Sequence, residues 1–413
     1  MICLLLFCGQ LLSPSLPDYM MSLPSSADIV IIGGGIIGVS IAYHLSQMHA
    51  GRVLLLERKH LGAGATGMSS GLVRMHYDNP IEVAFAYHSF ELFQHFSEIV
   101  GAENGFVRTG FVRIDRAQNL ERMKVNVATM QAMGVTTEMI DRDALQEIAP
   151  YMDTEDVIMG AYEPLSGYAD PHQTVMGLAD AARRGGVAIQ QGVEVVGILQ
   201  EHDRISGVRT TRGDVATPVV INAAGAWGGV VAGMAGVEAE VVPAVHQASI
   251  VETPSSIPFP HLTFIDRIHG VYARPETGGL TLAGRSGEES DSIISVEELD
   301  TFSHTPRQDI EFEVLERLCN RIPLMATGAV RKGHVGAEGY TRDGHALLGP
   351  APHLEGFYLA IGMSGHGFKE GPAIGRVMAE MVLEGRSWLV DVEPLRVNRF
   401  AEEEPYHGEY EYL

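Results

Sequence analysis

Cysteine is scarce in this chain: three residues in 413, at Cys3, Cys8 and Cys319. Their spacing fits neither a disulfide framework nor a thiolate metal site, so no metal is expected and a reducing, cytoplasmic setting is. Positive charge is also in short supply, with 29 Lys and Arg against 52 Asp and Glu and a formal net charge of -23. A field of that sign repels nucleic acid and anionic lipid, which removes both from the expected partners. Long apolar runs are missing as well. Residues 1–8 are apolar but too few to cross a bilayer, and no basic residue precedes them as a secretory signal requires, so no membrane insertion is expected. Residues 1–26 read as a disordered leader, or as translation begun upstream of Met20 or Met21. No internal repeat is visible.

What is present suffices for a large buried core. The chain is 46% hydrophobic and 20% charged, and its length predicts two domains. The decisive stretch is Asp28-Ile29-Val30-Ile31-Ile32-Gly33-Gly34-Gly35-Ile36-Ile37-Gly38. Apolar β-formers run into glycines spaced G-x-G-x-x-G (Gly33, Gly35, Gly38), and a helical pattern follows. The first glycine permits the turn, the second admits a pyrophosphate to the backbone, and the third lets helix and strand pack closely. Free N–H groups of Ile36, Ile37 and Gly38 at the helix start then face phosphate. A second strand, residues 53–56, ends in Glu57, a carboxylate placed to accept hydrogen bonds from a ribose diol. Dinucleotide binding is the expectation.

Past Glu57 and Arg58, a loop rich in small residues carries Thr66, Ser69 and Ser70. These are expected to cap a short helix start and to offer a second face to the pyrophosphate. Arg74 follows, a cation beside aromatic Tyr77. Residues 80–100 predict one long helix, 174–184 a second and 309–321 a third. Short strands are expected at 187–190, 193–198, 205–210 and 219–222, the second containing Val195. The last enters a small-residue turn with Ala224, Gly225 and Trp227, where backbone can approach a cofactor. A closing glycine-rich turn, Gly362-Met363-Ser364-Gly365-His366-Gly367-Phe368-Lys369, leads into a helix expected over 371–383. The tail from residue 402 reads as frayed.

The opening glycine motif, Glu57, the 222–227 turn and the closing 362–369 turn together resemble the FAD-dependent amino-acid oxidases of the D-amino-acid oxidase superfamily. Within it, the branch of sarcosine oxidase, glycine oxidase and amino-acid dehydrogenase β-subunits is the most similar. The resemblance covers residues 27–400. It implies an α/β fold: a discontinuous Rossmann-type FAD domain (27–101, 164–229, 333–400) and an α+β substrate domain (102–163, 230–332) with a mostly antiparallel sheet. Residues 401–413 would be a tail. It implies FAD contacts from the residues above and from Gly362, Gly365, His366, Gly367, Phe368 and Lys369.

The resemblance further implies that Arg74 and Lys369 hold a substrate carboxylate and that Tyr272 and Tyr340 line the amine pocket. Arg285 would depress the amine pKa. Glu338 replaces a flavin-tethering cysteine, so the FAD would be non-covalent. Thr281 replaces an oxygen-activating lysine, which favours a dehydrogenase over an oxidase, with a further electron acceptor or partner subunit. The implied reaction is oxidation of the C–N bond of a small amino acid or N-methyl amino acid of the sarcosine, glycine or proline kind. A 2-hydroxy-acid dehydrogenase and a non-catalytic flavin-binding subunit of a larger complex are the alternatives.

Overall fold

The computed structural model describes residues 22–287 and 291–408. Residues 1–21 of the expected leader and 409–413 of the tail lie outside the described residues. The strand Ile29–Ile32 is buried at every position, the pattern of a strand covered on both faces. It is central in a six-stranded sheet. Val53–Glu57 and Val220–Asn222 flank it in parallel, and Ala188–Gln191 and Phe357–Ile361 extend the layer, again in parallel. Leu347–Pro350 closes one edge antiparallel. Strands far apart in sequence therefore make one layer. Ile29, Ile31, Val53 and Leu55 pack on one face against Val39 of the helix Ile36–Gln47, Leu178 of Pro171–Arg184 and Ile374 of Gly367–Glu384. Val30, Ile32, Leu54 and Leu56 point the other way, to a small antiparallel sheet of Val195–Glu201, Arg204–Thr210 and Gly213–Ala216.

The second large sheet has nine strands and is antiparallel except where Thr263–Asp266 runs alongside Phe111–Ile114. Because side chains alternate across a strand, its register divides its residues between two faces. Leu282, Tyr272 and Ala248 cluster with Leu72, on the side of the six-stranded layer. Val251, Val271, Ala273 and Ala283 point oppositely, into a core with Ile310, Val314 and Leu318 of the helix Gln308–Arg321.

Four expectations change. Ser25 and Ser26, assigned to the leader, belong to the fold: the Ala216 amide donates to the Ser25 carbonyl at 3.0 Å, and Ser26 bridges Ala216. The start of the tail is tied down, with the Tyr406 amide donating to Asp343 at 2.9 Å and its ring against His345. The expected 80–100 helix breaks at His95 into Pro80–Gln94 and Phe96–Ile99, where Asn104 Nδ2 donates to the Phe93 carbonyl at 3.0 Å. The last helix begins at Gly367, four residues before the expected start, and holds Pro372 inside it. Proline is tolerated in a first turn, so placing the start near Pro372 is natural from sequence. In the structure the earlier start makes Lys369 a first-turn residue.

Candidate cofactor groove and active site

A groove enclosing about 1450 Å³, open solvent at its mouth included, runs along the carboxyl ends of the parallel strands. This is where ligands bind in open α/β sheets. Its floor is the glycine turn. Gly33 has φ +112°, and a Cβ there would lie 2.4 Å from the Ala223 carbonyl oxygen; a Cβ on Gly38 would lie 1.9 Å from that of Gly33. Strand, turn and helix thus touch through backbone alone. The helix Ile36–Gln47 has no side-chain cap at Gly35. Thr66 does cap it, from 30 residues away: its hydroxyl accepts from the Ile36 N–H at 3.0 Å. Thr66 therefore lies inside the short turn Ala65–Met68 and serves another helix, where the sequence suggested a cap for its own. The next first-turn N–H, on Ile37, has no intrahelical acceptor, and Ile37 lines the groove.

Glu57 stands at the adjoining wall. One carboxylate oxygen accepts from the Gly34 amide and the other from the Lys59 amide, both at 2.7 Å, which orients the group and leaves lone pairs for a diol. Arg58 lies 4.1 Å over the Trp227 ring and 2.8 Å from Asp300, which also accepts from Trp227 Nε1 at 3.1 Å. Val195, Ala224 and Gly225 complete this end. Gly225 has φ +57° with nothing within 4 Å of a would-be Cβ. At the far end Ser69, Gly365, Gly367 and Phe368 line the groove, together with Glu338. Gly38, Ser70, Gly362, His366 and Lys369 do not line it. The Ser70 carbonyl accepts from Arg274 Nε, and Gly362 packs against Thr341. The His366 ring turns away to Glu82, with Nδ1 at 3.1 Å.

A helix start whose Ile37 N–H has no intrahelical acceptor and lies at the groove, an oriented carboxylate and a bare-backbone turn together fit the phosphates, ribose and rings of FAD.

Lys369, next in sequence to the groove-lining Phe368, comes together with Arg74 over one ring. The Arg74 guanidinium is 4.5 Å from the Tyr77 ring centre and the Lys369 ammonium 5.6 Å from it. Both residues are buried. Arg74 Nη1 donates to the His76 carbonyl, while its Nε has no hydrogen-bond partner. Neither cation forms an ion pair among the described residues. Burial and the nearby Arg74 charge bring Lys369 down to about 7, against the pull of Glu370, Glu338 and Glu82.

Tyr272 and Tyr340 also reach this region, joined by two residues that sequence reasoning missed. Tyr272 lies flat across its neighbour strand because position 284 is glycine: a Cβ there would be 2.4 Å from the Tyr272 hydroxyl. That hydroxyl is 2.8 Å from His246 Nε2, and His246 Nδ1 is 2.6 Å from Asp291 Oδ1. Tyr340 donates to Asp291 Oδ2 at 2.7 Å. Pairing of Tyr272 with Gly284, of Gly284 with Ala248, and of His246 with Gly336 puts Tyr272, His246, Glu338 and Tyr340 on one face. Burial pushes the Glu338 carboxyl up, against the pull of His246 and Lys369. A signal for His246 existed in the alternation of residues 242–252, but its partners are 26 and 45 residues away.

Two expected site residues are not brought there. By the same alternation Thr281 and Arg285 fall on the opposite face. Thr281 is buried between Thr253 and His261, at 2.8 and 2.9 Å. Arg285 lies 3.8 Å from Glu313 of the helix Gln308–Arg321. Thr281 therefore says nothing about a cation at the groove, and Arg285 does not stand beside an amine there.

Comparison with known proteins agrees with this geometry. Human mitochondrial sarcosine dehydrogenase is 30% identical over 377 residues, covering 88% of this chain and 40% of that protein. The mouse mitochondrial pyruvate dehydrogenase phosphatase regulatory subunit is 27% identical, covering 91% and 44%. The chain thus spans less than half the length of these two relatives. L-proline dehydrogenase from P. horikoshii superposes with a TM-score of 0.85 at 29% identity, covering 93% of this chain and all of that one. The two curated relatives are named as mitochondrial, so the cytoplasmic expectation rests on composition alone; no described helix is long and apolar enough to cross a membrane. The family model for FAD dependent oxidoreductases matches residues 28–381, the whole span that builds the groove, and the chain belongs to that FAD-using family.

Proposed function

We propose that this chain oxidises the C–N bond of a small amino acid or N-methyl amino acid whose carboxylate is held by Arg74 and Lys369. The observation that carries this reading is the pair of buried cations without an ion-pair partner. Such charges are costly to bury alone. A ligand carboxylate would offset them through charge-assisted hydrogen bonds, strong in a site shielded from water. FAD, when bound, supplies the hydride acceptor. The chain's own task is to hold the substrate and to remove the proton of its ammonium group, because only the neutral amine can release hydride. The Tyr272 hydroxyl with His246 behind it is the proton acceptor in this reading. The FAD is held without a covalent bond, and electrons leave to an acceptor other than oxygen. Supporting the latter, a bound carboxylate would offset part of the Arg74 and Lys369 charge, and superoxide formation is helped by a positive charge nearby.

The His246–Asp291 pair favours one second reading, a 2-hydroxy-acid dehydrogenase, since it offers the base that a hydroxyl substrate requires. The likeness to a phosphatase regulatory subunit favours a third, with structural flavin. Anaerobic mixing with glycine, sarcosine, proline, dimethylglycine and 2-hydroxy acids separates them. Flavin bleaching by an amine is expected. Bleaching by hydroxy acids alone would replace the proposal with the second reading, and no bleaching at all with the third.

A further inference from the structure

The chain Tyr272–His246–Asp291–Tyr340 is held by three hydrogen bonds of 2.6–2.8 Å, and only the aspartate has a fixed sense as an acceptor. An ionised carboxylate cannot donate, so Nδ1 of His246 must carry the hydrogen that Asp291 Oδ1 receives. We propose that Asp291 is a positioning residue: it fixes His246 as the Nδ1–H tautomer, so that Nε2 accepts from Tyr272 and the Tyr272 oxygen keeps a lone pair for the substrate ammonium. The inference rests on the reading above that Tyr272 and His246 take the amine proton.

The surroundings hold this arrangement rigid. Tyr340 occupies the second carboxylate oxygen of Asp291, so the carboxylate is held at both oxygens. The imidazole is bound at both nitrogens and stacked on Tyr272 at 21° between planes. Asp291 is delivered by the edge strand Ser292–Ile293, which pairs with Val245 and Ala244 beside His246. In the transfer, a substrate N–H proton passes to the Tyr272 oxygen as the Tyr272 hydroxyl proton passes to Nε2. The amine becomes neutral and His246 becomes imidazolium. The groups facing that charge are Asp291, Glu338 and His334 from the strand Val330–Tyr340, and Arg285 through the sheet. Burial pushes the imidazole down, but Asp291 and Glu338 outweigh burial and Arg285, leaving it above its ordinary value.

The test uses the FAD-loaded protein with ¹⁵N-labelled histidine. The His246 signal is assigned by its disappearance in His246→Gln. Above its titration the wild type should show Nδ1–H with an unprotonated Nε2. Asp291→Asn should change the tautomer and move the titration to lower pH. The acid limb of anaerobic flavin reduction should shift likewise, and its plateau should fall by about 10²–10⁴-fold, the range for general-base contributions. Asp291→Glu should restore part of the plateau. An Nε2–H tautomer in the wild type would overturn the proposal, as would an Asp291→Asn protein with unchanged tautomer and plateau. If Asp291→Asn fails to retain FAD, the wild-type spectrum beside Asp291→Glu still decides the tautomer. If no substrate reduces the flavin, the functional reading fails while the tautomer result stands on its own.

Discussion

At the scale of single residues, Arg74 and Lys369 are two buried cations held close over one ring, neither in an ion pair among the described residues. Arg74→Ala or Lys369→Ala should retain FAD, seen in the visible spectrum, yet weaken carboxylate ligands by about 2–5 kcal/mol, the scale for truncating one partner of a buried charge pair. Equal ligand affinity in both variants and wild type would remove the carboxylate site. The lysine also sets a pH dependence. With Lys369 near 7, its charge is present below that pH and lost above it, whereas a bound carboxylate holds the proton on. Affinity for a carboxylate inhibitor should be flat below pH 7 and weaken by up to about tenfold per unit above, the slope for one linked proton. Titrating the inhibitor by flavin difference spectra checks this, and Lys369→Met should flatten the profile.

At the scale of elements, two helix starts meet at the groove because two helices lie very close. A Cβ on Gly375 would sit 2.5 Å from Ser40 Cβ and 2.6 Å from its carbonyl carbon, and one on Gly371 would sit 2.7 Å from Ile36 Cγ1. Backbone cannot give way as a flexible side-chain tip can. Gly375→Ala should therefore force apart the helices Ile36–Gln47 and Gly367–Glu384, at a cost of about 1–3 kcal/mol, the usual range for overpacking. Thermal unfolding of the FAD-loaded protein should register the loss, together with weaker flavin retention, since this crossing positions both the Ile37 amide and Lys369. An unchanged midpoint and unchanged retention would show that the crossing relaxes freely.

At the scale of the whole molecule, the cofactor groove draws on strands and turns from both ends of the chain, so FAD binding and folding are linked. No cysteine among the described residues lines the groove; Cys319 lies on the helix Gln308–Arg321 beyond the second sheet. Acid precipitation should release all the flavin into the supernatant, and colour in the pellet would mean a tether through another residue. The electron acceptor is tested at the same scale. Substrate-reduced enzyme mixed with oxygen in stopped flow should reoxidise slowly beside an acceptor dye. Fast reoxidation with stoichiometric peroxide would return the protein to the oxidases. Thr281→Lys would not test this, because that side chain is buried on the opposite face of the sheet.

The sequence by itself determined what depends on neighbours along the chain. Gly33, Gly35, Gly38 and Glu57 are legible because a turn, a helix start and a strand end follow from local spacing, and the 222–227 and 362–369 turns are legible for the same reason. The family resemblance adds Arg74 and Lys369, which the structure does bring together over Tyr77. Strand parity lies beyond such reading. One residue of offset moves a side chain across a sheet, and that is why Thr281 and Arg285 belong to the far core. The same physics hid His246 and Asp291, which meet only through cross-strand register over 45 residues. Thr66 capping a helix 30 residues away is a third case. Backbone conformation is set locally, but which face a side chain shares, and with whom, was decided only when the sheets closed.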